Sequence, residues 1–108
     1  MVLLWTNNAP TTQFGAQTVQ IDASGCDLLL IRCKHTRTVD AYVDFLFLAD
    51  GNTYCLDYVV YGSTGVAPVQ RDATCGKTSV VFADAILLNR SEANNGYLIP
   101  VNIYGIKA

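Results

Sequence analysis

Between residues 32 and 37 the chain carries Arg32, Lys34, His35 and Arg37, which include three of its seven lysines and arginines in an otherwise acidic sequence. Such a cluster can hold a phosphate-bearing or acidic glycan polymer through charge-assisted hydrogen bonds, with arginine offering a planar fork to two anionic oxygens at once. A solvated loop has the same composition, and so does one side of a subunit contact against an Asp-rich hairpin. All three readings stay open at this point. Aspartates supply the second candidate: Asp40 with Asp44, or Asp44 with Asp57 across a hairpin, could stand at the separation used in glycoside hydrolysis. The simpler expectation is that they solubilise the exposed face of strands dense in Tyr, Val and Phe. Six tyrosines (Tyr42, Tyr54, Tyr58, Tyr61, Tyr97 and Tyr104) combine flat apolar area with a hydroxyl, which suits stacking on sugars or packing an interface. Most alternate within predicted strands and are expected in the core or at a subunit interface. Tyr61, beside Gly62-Ser63-Thr64-Gly65, is the best candidate for exposure and joins Arg32, Lys34, His35 and Arg37 as a candidate ligand-binding residue.

The four cysteines and single histidine carry less. No cysteine pair has CxxC spacing and His35 lies two residues from Cys33, so a structural zinc site lacks its paired ligands. Cys26 and Cys33 lie either side of Leu28-Leu29-Leu30-Ile31 and Cys55 follows Tyr54, so the thiols are expected to be small buried hydrophobes. One lone histidine with no partner to lower a thiol pKa argues against a cysteine nucleophile. The glycines fall at turns, with no GxSxG, HExxH, Walker or dinucleotide pattern. Neither catalysis nor a metal or cofactor is expected.

These groups must be held by a chain of 108 residues, 51% hydrophobic and 15% charged, against about 25% charged in an average soluble domain. That composition excludes disorder and fits one domain over residues 1–108, with apolar surface to spare for another subunit. A net charge of −2 disfavours nucleic acid as a partner. No apolar run approaches the ~20 residues that span a bilayer. The stretch 2–5 is too short for a signal-peptide core, so neither membrane insertion nor secretion is expected.

The hydrophobic period is two throughout, not 3.6. Over 39–48, Val39, Ala41, Val43, Phe45 and Phe47 share one face; the other starts with Asp40, Tyr42 and Asp44 and turns apolar at Leu46 and Leu48. Asp50-Gly51 follows, and over 53–60 Tyr54, Leu56, Tyr58 and Val60 share a side, which predicts a tight hairpin with positive φ in the turn. Residues 14–21 predict a strand of mixed faces and Asp22-Ala23-Ser24-Gly25 a turn. Residues 26–33, apolar on both sides, predict a central strand covered on each face. The polar stretch 32–38 reads as a loop or strand end. Gly62-Ser63-Thr64-Gly65 with Pro68 marks a break, and Asn94-Asn95-Gly96 a second hairpin-type turn. Short strands are predicted over 78–82 and 86–88, separated near Ala83-Asp84-Ala85. Tyr97, Ile99, Val101 and Ile103 form a final strand in which Pro100, unable to donate to a ladder, calls for an edge or a bulge. No helix is predicted. Short strands every ~8–12 residues give an all-β fold, an antiparallel sandwich or barrel.

Leu3-Leu4-Trp5-Thr6-Asn7 near the start and Ile103-Tyr104-Gly105-Ile106-Lys107 near the end are terminal motifs that resemble those of a domain of phage tail and fibre proteins from phages and prophages of Gram-positive bacteria. Leu3-Leu4-Trp5-Thr6-Asn7-Asn8-Ala9-Pro10-Thr11-Thr12-Gln13-Phe14-Gly15-Ala16-Gln17-Thr18-Val19 is similar to its opening pattern LW-x-N-x-x-P-x-x-x-F-x-x-Q-T. Asp22 to Asp27, followed by Leu28 to Ile31, resembles the family's next turn and strand. Tyr97-Leu98-Ile99-Pro100-Val101-Asn102-Ile103-Tyr104-Gly105-Ile106-Lys107 resembles its closing IP-x-x-IYGIK, while 32–81 agrees only in strand rhythm. The resemblance implies an antiparallel, jelly-roll-like β-sandwich, assembled as a homotrimer at the tip of a tail or head fibre. Its expected role is attachment of the virion to a host surface polysaccharide. The expected alternative is a structural decoration or tail-assembly protein that binds other virion proteins. Synthesis in the bacterial host cytoplasm and residence in the phage particle follow from the same resemblance. It carries no ligand residue onto this chain, and it places Trp5 and Pro10 as anchors of the N-terminal strand.

Overall fold

Alternating apolar residues sort onto two faces of extended chain, and burying one face of each segment requires sheets packed against each other. The computed structural model describes residues 1–9, 14–35, 42–53, 55–61, 73–82, 86–87 and 97–107, the side chains of His35, Val60, Ile86, Leu87, Tyr97 and Leu98 excepted. These residues form β1 (Val2–Thr6), β2 (Gln17–Gln20), β3 (Leu28–His35), β4 (Tyr42–Leu48), β5 (Cys55–Tyr61), β6 (Ala73–Cys75), β7 (Ser79–Phe82), β8 (Ile86–Leu87) and β9 (Tyr97–Ile106). Every strand pairing is antiparallel, and the described residues contain no helix. The larger sheet runs β1-β9-β3-β4-β5, with β8 paired to β9, and the smaller runs β2-β7-β6. The fold is all-β and β-sandwich-like.

One hydrophobic cluster fills the interior. The larger sheet contributes Leu29, Ile31 and Cys33 from β3, Val43, Phe45 and Phe47 from β4, and Ile103 from β9; the smaller contributes Val19, Val80, Phe82, Ala73 and Cys75. Trp5 meets Phe14 edge-on at 5.9 Å and 71°, and Phe14 meets Phe82 edge-on at 4.9 Å and 81°, so an aromatic chain joins the first strand of one sheet to the middle strand of the other.

The central position expected for the 26–33 segment is found, since β3 pairs with both β4 and β9. Its covering is one-sided: Leu29, Ile31 and Cys33 are fully buried, whereas Leu28 and Leu30 are only half-buried. Of the two readings of the polar stretch, loop or strand end, Arg32 to His35 take the second: they close β3. Their ladder runs on through Arg32 opposite Asp44 and Lys34 opposite Tyr42, and on the other side His35 opposite Leu98. Main-chain pairing on both edges outweighs the polarity of the side chains.

β4, which ends at Leu48, and β5, which begins at Cys55, form the predicted hairpin, but a tight two-residue turn does not join them. Gly51 has the expected positive φ of 86°, and Asp50 accepts the Asn52 N–H at 3.1 Å. The Gly51 N–H donates to the Cys75 carbonyl at 2.8 Å, and the Cys75 N–H donates to that of Asn52 at 3.2 Å. The tip is thus drawn onto β6, a three-residue strand that the sequence pattern did not indicate. The turn at residues 22–25 is present. Asp22 accepts from both the N–H and the hydroxyl of Ser24 at 3.1 and 2.7 Å, which holds its carboxyl below the usual carboxylate range, and Gly25 has φ 81°. Pro100 sits at a bulge within a central strand: Arg32 pairs with Asn102 but Cys33 with Pro100, which leaves Val101 as the extra residue. Asn7 caps this irregularity, donating its side-chain amide to the Pro100 carbonyl and its backbone N–H to that of Val101, both at 2.8 Å. The predicted features at Pro10, Val39 to Ala41, Gly62 to Pro68, Ala83 to Ala85 and Asn94 to Gly96 lie outside the described residues.

Gly105, buried in β9, has a packing role. A Cβ there would stand 2.6 Å from Cys26 Sγ and 3.1 Å from Leu4 Cδ1. Gly105→Ala should therefore destabilise by about 1–3 kcal/mol, the usual cost of overpacking. The measurement is a urea midpoint. Cys26→Ala added to Gly105→Ala should recover part of the loss, because it removes the sulfur in the way.

Candidate functional site

The β3–β4 register decides what the basic segment can do. Arg32 stands directly opposite Asp44 on the face of the larger sheet that points away from the smaller one. Its Nε donates to Asp44 Oδ1 and its Nη2 to Oδ2, each at 2.8 Å, a bidentate pair. Asp44 is 5% exposed, while the Arg32 side chain is 37% exposed. Hydrogen bonding to Asp44 raises the guanidinium pKa still further. The guanidinium carbon also lies 5.9 Å from the centroid of the Tyr104 ring, within cation–π range. Asn102, opposite Arg32 on β9, donates its amide to the Tyr104 hydroxyl at 3.1 Å.

Around this pair the sheet has a hollow of about 500 Å³, lined among the described residues by Arg32, Tyr42, Tyr61, Val101 and Asn102. Tyr42 and Tyr61 are cross-strand partners, so their rings rise as neighbours from the same face. Tyr61 is 48% exposed. Val101, the extra residue of the β9 bulge, adds to the lining. A smaller hollow of about 140 Å³ adjoins it along β4 and β5, lined in part by Leu30, Asp57 and Val59 and sharing Tyr61.

Of the candidates named from sequence, Arg32 and Tyr61 are brought together in the larger hollow. Lys34 is half-buried opposite Tyr42 and is not part of the lining. The side chain of His35 and all of Arg37 lie outside the described residues. Asp44 does not solubilise an exposed face, as composition suggested; it is buried because Arg32 neutralises it. The contact weighed between basic segment and acidic hairpin exists within one chain. The Asp44–Asp57 pair is not in register either, for Asp44 faces Val59 and Asp57 faces Leu46. Tyr42, Val101 and Asn102 were not singled out from sequence. The usable signal was that Arg32 and Asp44 are opposite charges placed symmetrically about the β3–β4 connection.

The hollow offers two aromatic faces, an amide and an arginine with N–H groups beyond the two committed to Asp44. This is an equipment of stacking surfaces and hydrogen-bond groups. Among the described residues, no three of His, Cys, Asp and Glu gather as a metal site requires.

Cys26, Cys33 and Cys75 are buried free thiols, and Cys55 is half-buried, donating to the Asp57 carbonyl at 3.3 Å. Burial pushes Cys33 well above, and Cys75 up to about 12 from, the ordinary thiol value of 9.0. In the native state these thiols keep their protons when unfolded ones lose theirs, so their contribution is intact below pH 9 and is lost as pH rises from there, for Cys75 toward about 12. Stability should fall by about 1.4 kcal/mol per pH unit per thiol in that window. Urea titrations at pH 8 and pH 10 check this, and Cys75→Ala should flatten the slope. At pH 8, Cys55 should react first with a thiol reagent and Cys33 and Cys75 only on unfolding.

No family model matches the chain, and no curated protein or solved structure matches it.

Proposed function

We propose that this chain is a non-enzymatic tip domain of a phage tail or head fibre, a jelly-roll-like sandwich that works as a homotrimer and attaches the virion to host cell-wall polysaccharide. The observation that supports this reading most is the hollow in which Tyr42 and Tyr61 stand beside Arg32 and Asn102. Carbohydrate rings present apolar C–H faces and a rim of hydroxyls, and these four side chains offer complements to both. The resemblance of both chain ends to phage fibre domains supplies the context. Shallow sites of this kind gain from repetition, since three on one head raise avidity by roughly 10²–10⁴ without any being tight.

A fluorescently labelled full chain should bind purified Gram-positive cell walls saturably, and Tyr61→Ala should weaken that binding at least tenfold while leaving the urea midpoint unchanged. Binding that survives Tyr61→Ala would sink the site, and absence of wall binding across a host panel would sink the attachment role. A purely structural virion protein is the second reading. It is favoured by the apolar residues on the same outer face, Leu3 at 53% and Val59 at 49% exposure, with Leu30 and Leu46 half-buried between them. It predicts saturable binding to capsid or tail particles and none to walls. Light scattering gives the oligomeric state, with three times the chain mass expected for a fibre tip.

A further inference from the structure

A basic segment invites an anionic ligand, but the geometry points to a neutral one. We infer that the Arg32–Tyr61 hollow takes an uncharged pyranoside segment and discriminates little in favour of a phosphorylated one; this rests on reading the hollow as a glycan site. Arg32 is the one cation in the lining among the described residues, and both oxygens of Asp44 hold it at 2.8 Å. The pair is neutral as a unit. Asp44 is also nearly inaccessible at 5% exposure, so water does little to screen it from the guanidinium. Asp57, exposed in the adjoining hollow, adds negative charge, and the chain as a whole carries −2. Lys34 is the nearest further cation on this face of β3, and it stands outside the lining. A phosphate entering here would give up its hydration to meet an arginine already neutralised.

What remains at Arg32 is donor capacity. Two of its five N–H groups serve Asp44, which leaves the outer ones for hydroxyl oxygens. Asn102 spends one N–H on Tyr104 and keeps its carbonyl as an acceptor. Tyr42 and Tyr61 supply the stacking faces, and the volume of about 500 Å³ lies within the ~300–1,000 Å³ of small-molecule sites. Ion pairing thus turns an arginine from an anion clamp into an oriented hydroxyl reader.

The test uses ¹⁵N-resolved NMR titrations of the full chain with methyl glycosides of glucose, galactose and N-acetylglucosamine, with the 6-phosphate of each methyl glycoside as its charged counterpart, at 20 and 500 mM NaCl. At least one neutral glycoside should shift the Arg32 Nε–H, the Asn102 amide and the Tyr61 backbone together, with a Kd that changes less than twofold between the two salts. Its 6-phosphate should bind no more than twofold tighter. Asp44→Asn, which frees the guanidinium charge, should raise affinity for the 6-phosphate at least tenfold and make it salt-dependent. A 6-phosphate bound tenfold tighter by the unaltered chain, with affinity lost at 500 mM NaCl, would overturn neutrality but leave the glycan site standing. Failure of every sugar, charged or not, to shift these groups would overturn the glycan reading and this inference with it. Tyr61→Ala, at an exposed position, should abolish the shifts while preserving the rest of the spectrum.

Discussion

Arg32→Ala should lower the unfolding free energy by about 2–4 kcal/mol and remove, in the same step, the sugar binding proposed for the hollow. The stability loss comes from the partner left behind. Asp44 is 5% exposed, and its two oxygens have Arg32 as their bidentate donor. Stripping a buried carboxylate of its counter-charge costs about 3–5 kcal/mol, and the lower range expected here reflects the 37% exposure of the Arg32 side chain, through which water reaches the gap. Asp44→Ala should cost less than Arg32→Ala, because a half-exposed guanidinium can turn to solvent and a buried carboxylate cannot. The double change Arg32→Met with Asp44→Leu separates structure from function. Replacing a buried ion pair by apolar residues of similar size is often neutral or stabilising, so stability should return to within about 1 kcal/mol of the parent while binding stays absent. Urea denaturation with a sugar titration on the three variants reads both quantities. If the double variant recovered binding together with stability, the pair would be a structural element of the sheet with no direct role in the hollow.

The sequence made the frame legible wherever the local pattern and the tertiary setting agree. Alternation over 39–48 identified the core face of β4, Val43, Phe45 and Phe47, because that face is covered along its whole length. Asp50-Gly51 and Pro100 marked a turn and a bulge, since positive φ and a missing N–H are properties of single residues. What escaped depends on two segments at once. The β4–β5 connection is tied down where the Gly51 N–H donates to the Cys75 carbonyl and the Cys75 N–H to the Asn52 carbonyl, more than twenty residues away. Which of the two readings of the polar stretch holds, loop or strand end, is decided for Arg32 to His35 by the strands paired with β3. The site shows the same division. Arg32 and Tyr61 stand out by residue type and position, whereas Tyr42, Asn102 and Asp44 acquire roles only when the register of β3, β4, β5 and β9 is known. Charge was the least legible property. Counted along the chain, Arg32 to Arg37 is a cationic cluster; in the folded sheet its first member is half of a neutral pair.

Phe82→Ala should be the most costly single truncation in the smaller sheet, at about 3–5 kcal/mol, a large part of the 5–15 kcal/mol that hold a domain of this size. That sheet has three short strands, β2, β7 and β6, and a sheet of this size depends on its covered apolar face for stability. It is held by the side chains it inserts into the common core, and Phe82 is the largest of them, 1% exposed and stacked edge-on with Phe14, which in turn meets Trp5 on the larger sheet. Removing the ring leaves a cavity between two sheets that cannot close over it without shifting the Gln17–Phe82 and Ala73–Phe82 pairs. Trp5 is the single tryptophan, so its fluorescence reports this junction directly, and the native emission of the variant should shift to the red. Val81→Ala, one residue away and 40% exposed on the opposite face, should change stability by less than about 0.5 kcal/mol. Amide exchange distinguishes local from global loss: protection should fall first in β7 and β6 and persist in β3 and β4. Equal loss of protection in both sheets would mean that they unfold as one unit. The Arg32–Tyr61 hollow, on the far face of the larger sheet, would then depend on Phe82 as strongly as on its own lining.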